Sequence, residues 1–461
     1  MKTPASVLLA LAGLSSTMAI TAPLLAQDKQ PLPSLAVKAT DIYKPTAMPD
    51  RIVLSWSDHP LHSQAVSWRT SVSVKVALAE IAIAEADPKF TKQAKQWKAE
   101  SQELTTDLST AMFHSVTFTE LQPATKYAYR LGDGTNWTEW FHFKTPSTSP
   151  EPFSFVYFGD AQNDIRSLWS RVIREAYGDA PKAAFMLHAG DLINSAERDA
   201  DWGEWFGAGG WLNAMVPSIA VPGNHEQAKQ LGGGSRLSHH WRPQFSFPLN
   251  GPKGLEESCF TLVYHNMLLV CMNSNEQLEL QAEWLDKVLA ENKSPWVVCC
   301  FHHPIFSTAK NRDNSRLRAL WKPILDKYKV DLVLQGHDHS YGRTGLDVPD
   351  QVANQPNEPT AVNVPTGAQT VDPRNGTVYV VSVSGPKMYA VNRQPFMKRV
   401  AENTQLYQVI RIDGDKLHFE ARTAIGQLYD AFELRKRDNQ VNELIEIDPK
   451  FEQQTPTTPV P

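Results

Sequence analysis

The sequence predicts a small all-β sandwich followed by a layered α/β domain. Up to about residue 145, short β-branched and aromatic runs show the partial alternation of strands. Beyond residue 152, apolar runs alternate with amphipathic stretches that have the spacing of helices. Such alternation is typical of a domain whose sheets are covered by helices. At 461 residues, the chain is long enough for two domains of these kinds.

The charge balance argues against one broad class of protein. The sequence has 45 Lys and Arg residues and 50 Asp and Glu residues, which gives a net charge of -5. A general nucleic-acid-binding protein would normally carry a basic face. Phosphate esters remain acceptable substrates, because a bound metal ion supplies positive charge that a residue count does not include.

The N-terminal residues 1–26 have the pattern of a secretory signal peptide. Lys2 precedes a short apolar run, and small residues lead to Ala26; the alternative is a buried first helix or strand. Cleavage is expected after Ala26, or else after Ala22, and residues 27–44 are predicted to be a linker. The apolar run is too short for a membrane span, which needs about 18 residues. The mature protein is therefore expected to be periplasmic or secreted, with no membrane span.

The sandwich is predicted at residues 45–146. Its strands are expected at residues 52–56, 65–69, 72–76, 115–118 and 137–143. A Leu-x-Pro-x-Thr-x-Tyr spacing that ends at Tyr127 resembles the corner of fibronectin type III-like sandwiches, where a Tyr hydroxyl fixes the crossover between the sheets. This domain is expected to provide support or recognition, without a catalytic role.

The α/β domain is predicted at residues 152–436. A stretch rich in Pro and Asn at 348–375 predicts a long surface loop, and residues 437–461 are predicted to form a C-terminal tail. All 4 cysteines lie in apolar, strand-like runs. They are expected to be buried small hydrophobic residues, without a redox or metal-binding role.

Five apolar runs of the α/β domain end abruptly in polar clusters. The clusters are Gly159-Asp160-Ala161-Gln162, Gly190-Asp191-Leu192-Ile193-Asn194, Gly223-Asn224-His225-Glu226, His302-His303-Pro304 and Gly336-His337-Asp338-His339. One Gly-Asp after a strand is usually a turn, but five such clusters in order are difficult to explain as turns. Residues that follow the strands of an α/β sheet collect at one edge. Their mixture of carboxylate, amide and imidazole groups suits borderline divalent or trivalent metal ions.

The five clusters resemble the signature of the calcineurin-like metallophosphoesterase superfamily. Its most specific parts are Gly-Asn-His-Glu at 223–226 and Gly-His-x-His-x-Tyr-x-Arg at 336–343. Together with the preceding sandwich, residues 45–435 resemble purple acid phosphatases. The resemblance implies a catalytic domain with α/β/β/α layers and a site for two metal ions, with iron, zinc or manganese expected.

The resemblance also implies a role for each cluster. The expected ligands are Asp160 and His339 for the first metal ion, Asp191 as a bridge to both ions, and Asn224, His302 and His337 for the second. His225 is expected to contact a phosphoryl oxygen or to assist the leaving group, with packing beside a ligand as the alternative. For His303, contact with substrate and packing are both open. Tyr341 and Arg343 are expected to fix the loop around the ligand histidines.

Two positions depart from the purple acid phosphatase pattern. Asn194 stands where that family has the Tyr that binds ferric iron and causes the colour, so the protein is predicted to be colourless. Gln162 stands where many superfamily members have a His ligand and purple acid phosphatases have Gly. Its carbonyl oxygen is predicted to bind the first metal ion, with positioning of a water molecule as the alternative.

The function that the resemblance implies is hydrolysis of small phosphate monoesters, in which a metal-bridged hydroxide attacks phosphorus. The pattern of a signal peptide adds the expectation that this hydrolase is exported. A phosphodiesterase or nucleotidase activity at the same site is the first alternative. The second is a cell-surface binding protein with a vestigial metal site, but a degenerate site should have lost ligands. The sandwich is expected either to frame one wall of the cleft or to mediate formation of a homodimer.

Overall fold

The computed structural model describes residues 37–349, 376–438 and 440–450. The predicted signal peptide, most of the linker after it and nearly all of the predicted loop at 348–375 lie outside the described residues. Within the described ranges, no helix is long and apolar enough to cross a membrane.

The first domain is a sandwich of two four-stranded sheets, preceded by the short helix α1 (Ala39–Ile42). Its strands are β1 (Asp50–Ser55), β2 (Gln64–Ser71), β3 (Leu78–Ile83), β4 (Lys95–Lys98), β5 (Glu100–Thr105), β6 (Thr110–Phe118), β7 (Lys126–Gly132) and β8 (Phe141–Lys144). One sheet has the order β1-β2-β6-β5 and the other β4-β3-β7-β8. Trp68, Phe118 and Tyr129 belong to the core between them. The predicted all-β sandwich is confirmed.

The corner predicted at Tyr127 is present. The Tyr127 hydroxyl accepts a hydrogen bond of 2.8 Å from the backbone N–H of Gln122, where the chain passes from β6 in one sheet to β7 in the other. The strand predicted at 72–76 is wrong, because these residues form a turn between β2 and β3. Val72 and Val76 are exposed, so their β-branched side chains have no core to pack against.

The second domain contains the other strands found among the described residues. They are β9 (Phe153–Phe158), β10 (Met186–His188), β11 (Ser218–Ala220), β12 (Gln227–Lys229), β13 (Ser235–Leu237), β14 (Phe260–Tyr264), β15 (Met267–Cys271), β16 (Trp296–Cys300), β17 (Leu332–Gln335), β18 (Tyr341–Thr344), β19 (Val378–Val381), β20 (Met397–Ala401), β21 (Leu406–Asp413), β22 (Lys416–Thr423), β23 (Leu428–Arg435) and β24 (Glu443–Ile447). Its helices are α2 (Ser170–Asp179), α3 (Asp199–Gly209), α4 (Trp241–Gln244), α5 (Leu278–Glu291) and α6 (Ser315–Lys327).

Most of these strands form two seven-stranded sheets. The first has the order β11-β10-β9-β21-β22-β23-β24, and the second has the order β14-β15-β16-β17-β19-β18-β20. Strands β9, β10 and β11 pair in parallel, as do β15, β16, β17 and β19. β24 continues the first sheet past residue 436, where the sequence predicts the C-terminal tail to begin.

The two sheets pack face to face, and helices cover their outer faces. The hydroxyl of Tyr157 in β9 donates a hydrogen bond to the carbonyl of Gln335 in β17, which joins the sheets. The next residue, Phe158, points to the opposite face and packs on Trp169 beside α2. Buried residues of α5 and α6, including Trp321, pack on the second sheet. This arrangement confirms the α/β/β/α layers. All four cysteines are buried, as predicted, and their thiols are free.

Candidate metal centre

The five polar clusters meet at one edge of the paired sheets. Each cluster follows a strand: Asp160 follows β9, Asp191 follows β10, Asn224 follows β11, His302 follows β16 and His337 follows β17. The first three strands are neighbours in one sheet, and the last two are neighbours in the other. Packing of the two sheets therefore brings together residues that are distant in sequence.

One group of potential ligands contains Asp191, His302 and His337, whose ligand atoms lie within 4.8 Å of one another. Asn224 belongs to the same group, since its Oδ1 lies 3.1 Å from His302 Nε2 and 2.8 Å from His337 Nδ1. The other ring nitrogen of His302 hydrogen-bonds the carbonyl of Ala189 at 2.8 Å, which orients Nε2 toward the group. These are the residues predicted for the second metal ion, together with the predicted bridge.

A second group contains Asp160, Asp191 and His339, again within 4.8 Å of one another. Gln162 joins it, because its Nε2 lies 2.9 Å from both Asp191 Oδ2 and His339 Nε2. His339 Nδ1 hydrogen-bonds the carbonyl of Lys387 at 3.0 Å, so its Nε2 is the nitrogen that faces the group. Asp191 is common to both groups, as expected of a bridging carboxylate.

Several ligand candidates have a left-handed backbone. The φ angle is 25° at Asp160, 50° at Asp191 and 71° at His337. Residues other than Gly adopt this region at a cost of about 1–3 kcal/mol, and such strain collects at functional sites. Gly190, just before Asp191, has a φ of 84°, and a Cβ there would lie 2.7 Å from His302 Nδ1. Glycine is therefore favoured before Asp191 for two reasons: its backbone is left-handed, and the His302 ring approaches it closely.

Burial and neighbouring charges set the protonation states of the group. Burial raises the pKa of Asp160 well above its usual value. Burial also raises the pKa of Asp191, but the charge of His302 outweighs this effect and lowers the pKa. At His302, burial lowers the pKa, but the charge of Asp191 outweighs this effect and raises the pKa to about 9. Burial lowers the pKa of His337 and lowers that of His339 to about 4, so both imidazoles are neutral, whereas His302 would have to release its proton to bind a metal ion.

The residues fit two metal ions. Oδ1 of Asp160 and Oε1 of Gln162 are buried without a hydrogen-bond partner, which is uncommon for buried polar atoms. The oxygen and nitrogen of a side-chain amide have nearly the same shape. Rotating the Gln162 amide by half a turn would direct its oxygen toward Asp191 and His339. The two groups then offer the oxygen and nitrogen donors that borderline metal ions prefer.

His225 lies beside the bridging carboxylate. Its backbone N–H donates to Asp191 Oδ1 at 2.8 Å, and its Nδ1 hydrogen-bonds the carbonyl of Asn194 at 2.6 Å. Because a carbonyl only accepts, Nδ1 carries a proton, and Nε2 is the nitrogen that can exchange one with a substrate. The ring is partly exposed, as such an exchange requires.

His303 lies between the ligand group that contains His337 and a polar cavity. Its ring centroid is 4.2 Å from that of His337, and its Nδ1 hydrogen-bonds Ser274 Oγ at 2.8 Å. Burial lowers its pKa to about 3, so the ring is neutral. The cavity has a volume of about 590 Å³, and its lining includes Asn224, Gln227, Lys229, Asn275, His303 and Asn314. His303 therefore packs on a candidate ligand on one side and lines the cavity on the other.

Asn194, which the resemblance predicts to stand at the position of the iron-binding Tyr, contacts two neighbours of the ligand groups. Asn194 Oδ1 accepts a hydrogen bond of 2.9 Å from Asn163 Nδ2. Its backbone carbonyl meanwhile holds His225. The side chain and the backbone of Asn194 thus both serve to position neighbours of the ligand groups.

Glu226 has a role that the sequence analysis missed. Its buried carboxylate accepts hydrogen bonds from the backbone N–H groups of Asp191 and Leu192 at 2.8 Å and of Gly223 at 2.7 Å. Burial and the charge of Asp191 raise its pKa to about 7. Glu226 therefore joins the two loops that carry Asp191 and Asn224. The only signal in the sequence was an acidic residue that closes a ligand cluster.

Tyr341 and Arg343 fix the segment after the ligand histidines, as predicted. The Tyr341 hydroxyl donates to Asp430 Oδ2 at 2.6 Å, and Arg343 Nε donates to the same oxygen at 2.7 Å. Arg343 also pairs with Glu446 at 2.6 Å. Because Asp430 lies on β23 and Glu446 on β24, these bonds tie β18 of one sheet to the other sheet.

Both domains of this chain match models of known protein families. Residues 49–145 match the family model for the purple acid phosphatase N-terminal domain, and residues 153–341 match that for calcineurin-like phosphoesterases. Purple acid phosphatase 5 of Arabidopsis thaliana is 23% identical over 350 residues, which cover 73% of this chain and 79% of that protein. An uncharacterized protein of Mycobacterium tuberculosis is 26% identical over 305 residues, which cover 58% of this chain. The match spans little more than half of that relative's length, 56%.

A solved structure is similar to this chain over most of its length. The structure of purple acid phosphatase PPD1 from yellow lupin seeds has a TM-score of 0.67 and 19% sequence identity, and the match covers 90% of this chain and 78% of that one. At this identity the likeness shows a common fold. The chain therefore joins a purple acid phosphatase N-terminal domain to a calcineurin-like phosphoesterase domain, and it is purple acid phosphatase-like in fold.

Proposed function

We propose that this protein is an exported, metal-dependent hydrolase of phosphate monoesters. The observation that carries the proposal is Asp191, which is shared by two groups of potential ligands. Two bound cations would supply Lewis acidity and would lower the pKa of an attacking water. The matches to purple acid phosphatases and to calcineurin-like phosphoesterases support the reaction class.

The chain's own residues would hold the ions and position the substrate. We assign Asp160, Gln162 and His339 to one ion, Asn224, His302 and His337 to the other, and Asp191 to both. His225 would give a proton from Nε2 to the departing alcohol, because its Nδ1 is held by the carbonyl of Asn194. Iron, zinc and manganese all suit this donor set.

One observation favours a diester as the second candidate substrate. The cavity of about 590 Å³ begins at Asn224 and is lined mainly by amide and hydroxyl side chains. It offers room for a leaving group with many hydrogen-bonding atoms, such as a nucleoside. A phosphodiesterase or nucleotidase activity is therefore the alternative.

Export is supported by the pattern of residues 1–26, which lie outside the described residues. The basic start, the short apolar run and the small residues before position 27 are those of a secretory signal. Fractionation of cells that express the full chain, followed by sequencing of the mature N-terminus, tests this part of the proposal.

The activity can be tested on protein from which metal ions have been removed. Manganese, zinc or iron is added in turn, and initial rates are measured with a chromogenic phosphate monoester and the matching diester. Turnover that depends on metal and is lost in Asp191→Ala would support the proposal, and the ratio of the two rates would choose between the candidates. Folded wild-type protein that hydrolyses neither ester with any metal would contradict a general phosphoesterase.

A further inference from the structure

Arg312 is a cation at the edge of the candidate metal centre. It lies between β16 and α6, and its Nε is 3.0 Å from Asp338 Oδ1. Its Nη2 contacts Nε2 of His337, on the edge of the ring opposite the nitrogen that faces Asn224. The Arg312 side chain is 29% exposed, whereas that of Asp338 is fully buried. The guanidinium is thus held at Nε and Nη2 by protein groups, while part of the side chain is in contact with solvent.

The loop that carries Arg312 is held firmly. Asp338 Oδ2 accepts hydrogen bonds from the Ser307 hydroxyl and from the backbone N–H groups of Thr308 and Ala309, at 2.8 and 3.1 Å for the two N–H groups. Because Asp338 stands between the ligand histidines His337 and His339, the loop is fixed directly to the metal-binding segment. Arg312 is therefore presented by an ordered support, as a residue that recognises substrate must be.

Tyr389 completes the surroundings of Arg312. The guanidinium carbon lies 5.2 Å from the centre of the Tyr389 ring, a cation–π distance. The same ring packs on His339, with 4.6 Å between centroids. Arg312 consequently contacts His337 of one ligand group directly and reaches His339 of the other through Tyr389.

The contact with His337 depends on the tautomer of the ring. An Arg N–H can only donate, so Nε2 of His337 must accept in this arrangement. A neutral His that offers Nδ1 to a cation carries its proton on Nε2, and two donors cannot hydrogen-bond each other. If Nδ1 of His337 binds a cation, the Nη2 hydrogen of Arg312 therefore loses its acceptor on His337. This hydrogen lies at the edge of the candidate metal centre and can donate to another acceptor there.

We propose that Arg312 contacts the substrate by donating hydrogen bonds to a phosphoryl oxygen, and that it thereby favours dianionic monoesters over monoanionic diesters. This inference rests on the proposed phosphoesterase function. Guanidinium N–H groups match phosphate oxygens in geometry and charge. A diester carries one negative charge less and has one phosphoryl oxygen blocked by a second substituent. A fixed cation at this place therefore selects for the monoester.

The test compares Arg312→Ala and Arg312→Lys with Lys310→Ala, a control that removes an exposed positive charge from the same loop. Metal content, the thermal unfolding midpoint and kcat/KM for a chromogenic monoester and diester are measured for each. Arg312→Ala is expected to lower kcat/KM for the monoester by roughly 10- to 100-fold and to leave the diester within about threefold, with unchanged metal content. Arg312→Lys should recover part of the loss, and Lys310→Ala should change neither rate.

Equal losses for both esters, or an unchanged monoester rate in Arg312→Ala, would overturn the inference. Binding of inorganic phosphate to the metal-loaded protein, measured by titration calorimetry, gives a readout that does not require turnover. Arg312→Ala should weaken phosphate binding by roughly 10-fold or more. If the wild-type protein is folded but hydrolyses neither ester, the proposed function fails, and the phosphate titration still decides the role of Arg312.

Discussion

Arg51, on β1 of the sandwich, forms a bidentate ion pair with Asp199, the first residue of α3 in the second domain. The two bonds measure 2.6 Å from Nη1 to Oδ1 and 2.7 Å from Nη2 to Oδ2. Arg69 on β2 adds a contact of 3.3 Å to Oδ2, and His240 Nε2 lies 3.4 Å from Oδ1. All four side chains are buried. The two domains are thus joined by a buried cluster of charged side chains.

Replacing Asp199 by Asn is expected to destabilise the protein by about 3–5 kcal/mol, because it leaves Arg51 buried without its counter-charge. Asp286→Asn is the matched control, since Asp286 pairs with Lys327 at the surface, where both side chains are exposed, and its loss should stay below about 1 kcal/mol. Urea unfolding followed by tryptophan fluorescence measures both. Equal effects of the two variants would contradict an essential role for the Arg51–Asp199 pair.

His114 should make the sandwich sensitive to acid. Burial lowers its pKa from 6.5 to about 4, while its ring nitrogens hydrogen-bond Thr70 Oγ1 at 2.7 Å and Ser101 Oγ at 2.8 Å. Between these two pH values the unfolded chain binds a proton that the folded chain does not. His114 therefore does not reduce the free energy of unfolding above about pH 6.5. Below that pH the free energy of unfolding falls toward pH 4, by a total on the order of 3 kcal/mol.

The variant His114→Gln removes the titrating group and can keep a hydrogen bond. The difference in unfolding free energy between pH 7 and pH 4.5, measured with urea, should shrink relative to the wild type. His59→Gln, at an exposed position, should leave that difference unchanged. A wild-type pH dependence that His114→Gln retains in full would show that other groups cause it.

Gln162 is expected to bind the first metal ion through its amide oxygen. Gln162→Ala should then lose affinity for one of two ions, and Gln162→Glu should retain it, because a carboxylate offers oxygen in either orientation. The neighbouring Asn163→Ala is the control, since that amide bonds Asn194 and neither ligand group. Metal stoichiometry and affinity can be measured by calorimetry and elemental analysis. Two ions bound to Gln162→Ala with wild-type affinity would favour the alternative, in which Gln162 positions a water.

The sequence predicted which residues lie together where each residue directly follows a strand. Asp160, Asp191 and His302 each follow a buried strand, so residue type and position were enough to place them at one edge. Arg312 and Tyr389 were missed because they lie on loops without periodicity, and their contacts depend on how those loops pack. Glu226 was missed for a related reason. Its partners are backbone N–H groups, whose directions depend on a left-handed turn that residue types alone do not reveal.

The protein loaded with iron is expected to be colourless. The resemblance to purple acid phosphatases predicts that Asn194 stands where their Tyr binds ferric iron and causes the colour, and the Asn194 side-chain oxygen accepts a hydrogen bond from Asn163. Absorption spectra recorded after loading with ferric iron should therefore show no strong visible band. Tyr389 is the tyrosine to check, because its ring packs on His339, a predicted ligand of the first ion. A strong visible band in the wild type that disappears in Tyr389→Phe would contradict the prediction and would show that Tyr389 has taken the place of the missing ligand.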